Sequence, residues 1–471
     1  MVSSVAGSAQ EKWGLQKCVD SAIANNISIK QSDIQAKIAL LTYKQTSISK
    51  YPNLNYSNNI GGSFGRRENP STGTLVTQNF LSIGFNMQSS VEIFNFYSKR
   101  NQILASGWDY AVAKMSTEKL KNDIALTVAN AYLQILLAKE QQKIAAVQLQ
   151  QTQARLVNIQ KLVRAGSLPE LNSAEMEAQV ARDSANVISA RGIVAQDILV
   201  LKAYMNIDAA KPFEIDEPAA DKIPVENIAD LQPDAVYALA IANMPQQKLN
   251  DFKMKSAERS VAAARGSMYP TFSLYGGLGS NYVYYRTPVY KQTLSGYSSS
   301  GLVVSNGSGG FTDVQRPIYV NSSKSGYLVA DPFGKQLKNN FGQSIGISIN
   351  VPLFNGWSSR TTWEKAKLNI ETISLQKQQD DQNTKQDIYQ AYNAAIVAFE
   401  KFNASKKAVS TAERSYDFAN RRFNVGMLTT IEMITNQNSL FQARLEYVLA
   451  QFDYVFKMKV LEFYKGQGLK L

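Results

Sequence analysis

Apolar residues follow a strict heptad spacing in two long segments of the chain. The steps between them alternate between four and three residues, and Gln142 and Thr152 are the polar interruptions of the first series. That series is Ile124, Val128, Ala131, Ile135, Ala138, Gln142, Ala145, Leu149, Thr152, Leu156, Ile159 and Val163. Adding 260 to each number gives a second series, from Thr384 to Phe423, in which ten of twelve residues are apolar or aromatic. Such spacing predicts long helices in left-handed coiled coils.

A second pattern, with period two, predicts four β-strands. Apolar and small polar residues alternate clearly over 81–88 and 345–351, and more loosely over 54–64 and 272–284. Alternation fits a sheet with one wet face in a soluble protein. It equally fits an outer-membrane barrel with apolar residues towards lipid and polar residues towards a wet lumen. The strand pattern by itself leaves both interpretations open.

The two patterns recur because the chain is a tandem duplication, which is the first feature to seek in a long sequence. Ala22 to Asn25 recurs at Ala240 to Asn243 with an offset of 218. Phe94-Asn95 recurs at Phe354-Asn355, and Gly166 at Gly426, with an offset of 260. The second copy therefore contains 42 additional residues. They belong to a stretch rich in Ser, Gly, Tyr and Asn, for which we predict one long extracellular loop over 287–340.

Each repeat is predicted to contain a helix, two strands and two long helices. The first repeat, 1–228, has the helix 13–50, strands 52–66 and 74–94, long helices 95–163 and 170–205, and the linker 206–228. The second repeat, 229–471, has the helix 233–268, strands 270–286 and 341–353 on either side of the loop, and long helices 355–423 and 430–465. The first helix of each repeat ends before a Tyr-Pro pair, since a residue before proline avoids the helical conformation. Asn95 and Asn355 are predicted N-caps.

The long helices reverse at glycines, which readily adopt the left-handed conformation that ends a helix. Both reversals are expected at the same far end of a rod. The tip residues are small or apolar, and exposed apolar groups at a rod end favour a partner surface over ordinary turn packing. These residues are Gly166, Ser167, Leu168, Val425, Gly426, Met427 and Leu428.

Composition argues against enzymatic chemistry. The chain has 471 residues, a formal charge of +12, no His and one Cys. Without histidine there is no Ser-His-Asp triad or Cys-His pair, so we expect no catalytic residues, no metal and no cofactor. Cys18 is expected to pack as a small apolar residue. Lys and Arg are mixed with acids along the chain, which favours solvated helix faces over a nucleic-acid surface.

Membrane-spanning helices are not expected, because no run of 18 apolar residues occurs. Four lipid-facing strands per chain would still leave two sheet edges with unpaired backbone groups. Other copies must close such a sheet. Two copies give eight strands, whose interior is filled by side chains, whereas three give twelve and leave an opening. The residues from Val2 to Gln10 are similar to the end of a trimmed export signal.

This combination resembles the TolC family of outer-membrane efflux and export channels. The resemblance spans about residues 12 to 465 and rests on the duplicated plan, on 352–356 (Pro-Leu-Phe-Asn-Gly) and on Val425-Gly426. It implies an α+β membrane protein located in the outer membrane. It further implies a homotrimer with a 12-stranded transmembrane β-barrel, continued by a long periplasmic α-helical barrel. The expected partners are outer-membrane lipid, a periplasmic adaptor and, through the adaptor, an inner-membrane pump; nucleic acid is not expected.

The resemblance also implies an aperture at the second tip. Phe423, Val425 and Gly426 match the family pattern there, while Leu428 stands where the family has Arg. Two Asp of the family are replaced by Glu432 and Thr435, and an Asp of the first hairpin by Asn172. Glu175 aligns with Thr435 across the repeat.

Three copies of Glu432, and of Glu175, would form acidic rings in which repulsion raises the carboxyl pKa and favours bound cations. Ordinary solvated helix positions are the alternative for both residues. For Phe423, the heptad position favours packing in the seam over gating. The hypothesis for the whole chain is a passive exit duct of a tripartite efflux or type I secretion system. The alternative is a periplasmic coiled-coil adaptor or scaffold without a pore.

Overall fold

The computed structural model describes residues 12–68, 75–77, 79–218, 223 and 226–466. Their contacts divide the chain into two units. The helical unit comprises Met1–Gln45, Asn101–Ala262 and Thr361–Leu471, and the strand unit comprises Thr46–Arg100 and Ala263–Arg360. Both repeats contribute to both units, so the boundary at 228 separates two copies of a plan and not two compact bodies. The residues from Val2 to Gln10 lie outside the described part of the chain.

Two helices of 67 residues dominate the helical unit, each about 100 Å long at about 1.5 Å per residue. All twenty-four seam positions of the two heptad series are buried or half-buried. The helices are α1 (Leu15–Asn25), α2 (Ile27–Ile48), α3 (Ser98–Arg164), α4 (Glu170–Tyr204), α5 (Pro233–Asn243), α6 (Pro245–Gly266), α8 (Ser358–Asn424) and α9 (Thr430–Tyr464).

The single helices predicted over 13–50 and 233–268 are wrong, because each is interrupted. Asn26 separates α1 from α2 with extended backbone, and its side-chain oxygen accepts hydrogen bonds from the N–H groups of Ser28 and Ile29. Asparagine favours such a cap over a helix interior. In the second repeat Pro245 opens α6, and Met244 before it is extended, as the pyrrolidine ring requires.

The largest apolar core of the helical unit gathers residues of α1, α3, α4 and α9. Cys18 lies in it, fully buried and free of any disulfide. Burial raises the pKa of its thiol to about 12, although the charge of Lys17 acts in the opposite direction. Cys18 therefore packs as an apolar residue, as its sequence context predicts.

Four antiparallel strands form the main sheet of the strand unit, in the order β1-β4-β5-β8. They are β1 (Asn53–Ser63), β4 (Phe80–Phe94), β5 (Thr271–Tyr284) and β8 (Gly342–Asn350). The predicted strands 52–66 and 74–94 each break near one end of this sheet, where the short pair β2 (Arg66–Glu68) and β3 (Leu75–Thr77) forms. Residue 74 lies outside the described residues.

The long connection predicted over 287–340 joins β5 to β8, and it is regularly folded. The segment contains a second two-stranded sheet of β6 (Arg286–Ser305) and β7 (Phe311–Val329), followed by the short helix α7 (Phe333–Asn339). Its Ser, Gly and Asn content is typical of loops, yet backbone pairing along two strands requires no particular side chain. Four register shifts accommodate the irregular pattern.

The helices begin three residues after Asn95 and Asn355, so the predicted N-cap position is wrong in both repeats. The Asn95 side chain nevertheless accepts the N–H of Lys99 in the first turn of α3 at 3.3 Å, which is a capping bond. Two residues with positive φ intervene each time, Phe96 and Tyr97 in the first repeat and Gly356 and Trp357 in the second. The carbonyl group of each Asn accepts the N–H of the first helical serine. The strand-to-helix turn is therefore conserved between the repeats in geometry, although not in every side chain.

Among the described helices, α4 is long and apolar enough to cross a membrane by length and composition alone. The expectation of no membrane-spanning helix rests on the absence of an uninterrupted run of 18 apolar residues, and α4 contains no such run. α4 contributes Met176 and Leu201 to the cores of the helical unit.

Candidate functional site

The two hairpin tips of the helical unit end in the same backbone motif. Gly166 and Gly426 have φ values of 71° and 77°. In each tip the next residue donates its N–H five residues back, Ser167 to Leu162 and Met427 to Arg422, both at 2.9 Å. This is the Schellman arrangement, which satisfies the last carbonyl groups of α3 and α8.

Exposure differs among the predicted tip residues. Val425 and Met427 expose 67% and 69% of their surfaces. Gly166, Ser167 and Gly426 are also exposed. Leu168 and Leu428 are half-buried, and Leu168 packs against the core cluster of Ile159, Met176 and Ile434. The two leucines are therefore less exposed than expected, and Leu168 anchors the first turn to the core.

Glu432 is the N3 residue of a capping box at the start of α9. Its carboxylate accepts hydrogen bonds from the N–H of Thr429 at 2.9 Å and from the Thr429 hydroxyl at 2.8 Å. In return, the Glu432 N–H donates to that hydroxyl oxygen. We expected repulsion in a ring to raise the pKa of this carboxyl group. Within the chain, the bonds from Thr429, and then the charge of Arg422, lower it.

Asn172 joins the first hairpin to the second. Its side-chain amide donates to the Thr430 hydroxyl at 2.7 Å. Thr435 is exposed and its hydroxyl donates to the Ile431 carbonyl within α9, while Glu175 is half-buried. Among the hydrogen bonds of the described residues, Asn172 is the one predicted aperture residue whose side chain bonds to the other hairpin.

Phe423 packs in the core cluster with Ile159, Met176 and Ile434. A residue that sequence reasoning missed lies beside it: the guanidinium of Arg155 is 5.8 Å from the ring centres of both Phe423 and Tyr416. Arg155 also donates to the Tyr416 hydroxyl and to the Asn420 side chain, each at 3.0 Å. The hydroxyl of Tyr416, in a seam that is mostly apolar, was the signal for such a partner.

A buried polar network was also missed, although Thr152 is a polar interruption of the apolar seam. The Thr152 hydroxyl donates to the Asp183 carboxylate and accepts from the Gln437 amide, both at 2.7 Å. Gln179 donates to Asp183 at 2.8 Å and to Asn438 at 3.1 Å. The network therefore ties α3 and α4 to α9. Buried polar groups require such partners, so one polar seam residue predicts others opposite it.

No group of three or more metal-binding side chains occurs within the described residues. The site consists of hydrogen bonds between helices and of exposed tips. Such an arrangement can hold two helical hairpins together and can contact another protein.

Comparison with known proteins identifies the family. The chain matches the outer membrane efflux protein family over residues 18–206 and 321–463. It is 21% identical to the probable outer membrane lipoprotein SilC of Salmonella typhimurium, covering 57% of this chain and 55% of SilC. It is 25% identical to the outer membrane protein TolC of Escherichia coli, covering 29% of this chain and 28% of TolC. The matches thus span about half or less of these curated relatives.

The fold likeness is more extensive. The outer membrane protein VceC of Vibrio cholerae has a TM-score of 0.72 at 15% identity, with 97% of both chains covered. At this identity the likeness shows the fold. The resemblance to the TolC family is confirmed, and the chain belongs to the outer membrane efflux protein family.

Proposed function

We propose that three copies of this chain form the exit duct of a tripartite efflux or type I secretion system. The duct passes substrate passively from the periplasm to the exterior, through a 12-stranded β-barrel and an α-helical barrel. The observation that carries the proposal is a four-stranded sheet with one apolar face, one small polar face and two free edges.

The strand register supports a membrane-embedded sheet. Residues paired across antiparallel strands share a face. One face therefore presents Leu54, Ile60, Leu81, Ile83, Phe85, Met87, Leu274, Leu278, Ile345, Ile347 and Ile349. The other presents Asn55, Ser57, Asn59, Ser82, Gly84, Asn86, Ser273, Gly277, Ser344, Gly346 and Ser348. Apolar residues towards lipid and small polar residues towards water are the arrangement of an outer-membrane barrel.

The sheet edges require other copies. β1 and β8 are the outer strands and each pairs on one side. In hydrocarbon, each unpaired backbone group costs several kcal/mol. Joining β8 of one copy to β1 of the next satisfies these groups, and twelve strands enclose an opening that eight do not.

Aromatic side chains at both ends of the sheet fit the two girdles of such a barrel. Tyr282 and Tyr284 lie on the apolar face at one end of the strands. At the other end, aromatic rings pack around the strand-to-helix turns. They are Phe94, Phe96, Tyr97 and Tyr269.

The helical unit also leaves surface for sister copies. On α2, Ile27, Ile34, Ile38, Leu41 and Ile48 are exposed and follow heptad spacing. On α4, Ile188, Ile193, Leu199 and Val200 are exposed. A heptad row without a partner in its own chain is suited to packing against a helix of another.

The tips are the proposed contact with a periplasmic adaptor, which connects the duct to an inner-membrane pump. Exposed Val425 and Met427 flank Gly426, and Gly166 and Ser167 lie at the matching position of the first tip. Apolar residues on an exposed helical end are suited to a protein partner.

The aperture is proposed at the same end. The hydrogen bonds from Asn172 to Thr430 and from the Arg155 guanidinium to Asn420 hold the hairpins together. Glu432, with Glu175, supplies carboxylates to an acidic mouth. Thr435 adds a hydroxyl, and Phe423 supports the turn from the seam.

Reconstitution tests the duct directly. We expect detergent-solubilised protein to be a trimer and to conduct ions in a planar bilayer; a monodisperse soluble monomer would overturn the proposal. Protease cleavage within 287–340 on intact cells separates the duct from the alternative, a periplasmic adaptor or scaffold without a pore. A segment outside the cell is cleaved, whereas a periplasmic one is protected.

A charge substitution tests the mouth. We expect Glu432→Gln to lower cation selectivity, with Glu258→Gln as a matched change at an exposed position of α6. Reversal potentials in a salt gradient give the selectivity. Equal values for wild type and both variants would contradict the assignment of Glu432.

A further inference from the structure

The segment 285–341 is cationic and short of counter-charges. It contains six Lys and Arg against two Asp, a net charge of +4. Both aspartates are engaged: Asp331 pairs with Lys335 at 2.9 Å, and Asp313 accepts a hydrogen bond from the Ser299 hydroxyl at 2.7 Å. Within the described residues, the other five cations form no ion pair with a carboxylate.

Two of these cations share one aromatic ring. The Arg286 guanidinium lies 3.7 Å, and the Lys324 ammonium 3.8 Å, from the ring centre of Tyr327. Lys324 also donates to the Tyr327 hydroxyl, and that bond, with the charges of Lys324 and Arg286, lowers the pKa of the phenol. Like charges gathered without a carboxylate repel each other, and an anion bound between them removes this repulsion.

Helix α7 fixes where this charge lies relative to the sheet. The ring centre of Phe333 is 5.1 Å from that of Tyr282 and 6.2 Å from that of Phe85, both on the apolar face. The Gln336 side chain accepts from the Val283 N–H at 3.0 Å and donates to the Val283 carbonyl at 3.1 Å. α7 therefore covers the edge of β5 and contacts the apolar face near its end.

The remaining side of α7 is charged. Lys335 and Lys338 are exposed, while Gln336 and Leu337 are half-buried against the sheet. The base of the β6–β7 hairpin adjoins the same end of β5, where the Ala330 N–H donates to the Tyr285 carbonyl. Arg286 directly follows Tyr285. The hairpin and α7, which carry these cations, thus both adjoin the end of β5 where the apolar face ends.

We propose that Arg286, Lys324 and Lys338, the cationic collar, bind the phosphate groups of a phosphorylated glycolipid in the outer leaflet. The inference rests on the proposed function, because it takes the apolar face to contact lipid. An apolar face that ends in aromatic rings and then in unpaired cations matches, in order, the acyl chains, the interface and the anionic headgroups of a lipid layer. A soluble anion would match the cations alone.

Binding of fluorescent lipid A to the detergent-solubilised full chain tests the collar. We expect Arg286→Gln/Lys324→Gln/Lys338→Gln to weaken binding by about fivefold for each removed charge. The matched control is Lys161→Gln/Lys248→Gln/Lys406→Gln, which removes three exposed lysines of the helical unit. We expect wild-type affinity from the control and from Lys324→Arg/Lys338→Arg, which keeps the charge.

Three results would overturn the lipid assignment: equal affinity of the triple collar variant and wild type, equal affinity for dephosphorylated lipid A, or equally tight binding of inorganic pyrophosphate. Conductance of the same preparations in a phosphatidylcholine bilayer tests the duct separately. If the protein conducts but does not distinguish lipid A from its dephosphorylated form, the lipid-binding proposal is refuted and the duct proposal stands. If the protein does not conduct, the duct proposal is refuted, and the binding comparison still tests the cationic collar.

Discussion

The two helical hairpins have the same register but different interiors. Between α3 and α4, Thr152, Gln179 and Asp183 form a buried polar network with Gln437 of α9. The matching positions of the second hairpin, 260 residues later, are Ala412, Ser439 and Ala443. There the structure has an open groove of about 650 Å³ between α8 and α9.

The return helices differ in the opposite sense. α4 and α9 both have 35 residues, but seven are buried in α4 and fourteen in α9. α9 is thus a central helix of the unit, whereas α4 exposes several apolar residues. A duplicated heptad code therefore specifies helix pairing within each hairpin, and the residues around the seam decide where the interior is filled and which surfaces stay exposed.

The largest expected effect separates α9 from α4. Met458 is fully buried, so Met458→Ala should lower the free energy of unfolding by about 2–5 kcal/mol. Ile188 exposes 69% of its surface. Ile188→Ala should change the free energy of unfolding by less than about 0.5 kcal/mol and should weaken the association of copies of the chain. Denaturant unfolding and light scattering in detergent measure both effects. Equal losses of stability would refute the contrast.

An exchange of residues between the hairpins tests the network. Thr152→Ala leaves Asp183 without its hydroxyl donor and Gln437 without its acceptor, so we expect a loss of about 1–3 kcal/mol in the free energy of unfolding. Ala412→Thr, at the matching position beside the open groove, should stay within about 0.5 kcal/mol. If both substitutions changed the free energy of unfolding equally, the buried network of the first hairpin would not stabilise the protein more than the open groove of the second.

A smaller effect is expected at the tips. Thr429→Ala removes the side-chain half of the capping box of α9 and should lower the free energy of unfolding by about 0.5–2 kcal/mol. Pro169 holds the matching position before α4 and makes no side-chain capping bond. Pro169→Ala should therefore lower the free energy of unfolding by at most about 0.4–1 kcal/mol, because alanine allows the unfolded chain more conformations than proline does. Local hydrogen exchange in the first turns of α4 and α9 separates the two, because only Thr429→Ala should speed exchange near Glu432.

The smallest effect is the pH dependence of this cap. Hydrogen bonds from Thr429 lower the pKa of the Glu432 carboxyl below its ordinary value. A lowered pKa contributes stability above the ordinary value, and this contribution is lost as pH falls through the lowered value. The difference in hydrogen exchange between wild type and Thr429→Ala should therefore shrink in acid. A difference that stays constant through that range would show that the carboxylate is not part of the cap.

Much of the architecture followed from local periodicity. The heptad series located the seams of α3 and α8, and Gly166 and Gly426 located both reversals, because a helix end depends on a few neighbouring residues. Alternation located the strands of the main sheet. The interruption of the first helix at Asn26 was missed, since a cap and a helix interior differ there by a single side-chain hydrogen bond.

The candidate site was less predictable. Asn172 was singled out from the resemblance, but its partner Thr430 lies on the other hairpin. Arg155 and Asp183 gave no periodic signal, because polar residues beside a seam are common and most are solvated. Their roles depend on which side chains other helices bring close.

From the sequence alone came the duplicated plan, the two coiled-coil seams, the glycine tips and the absence of histidine chemistry. Tertiary structure decided the strand order β1-β4-β5-β8, the pairing of β6 with β7, and the network that fills one hairpin and not the other. The physical reason is one of range. Periodicity records which face of an element is buried, whereas backbone pairing and buried polar contacts depend on residues far apart in the chain.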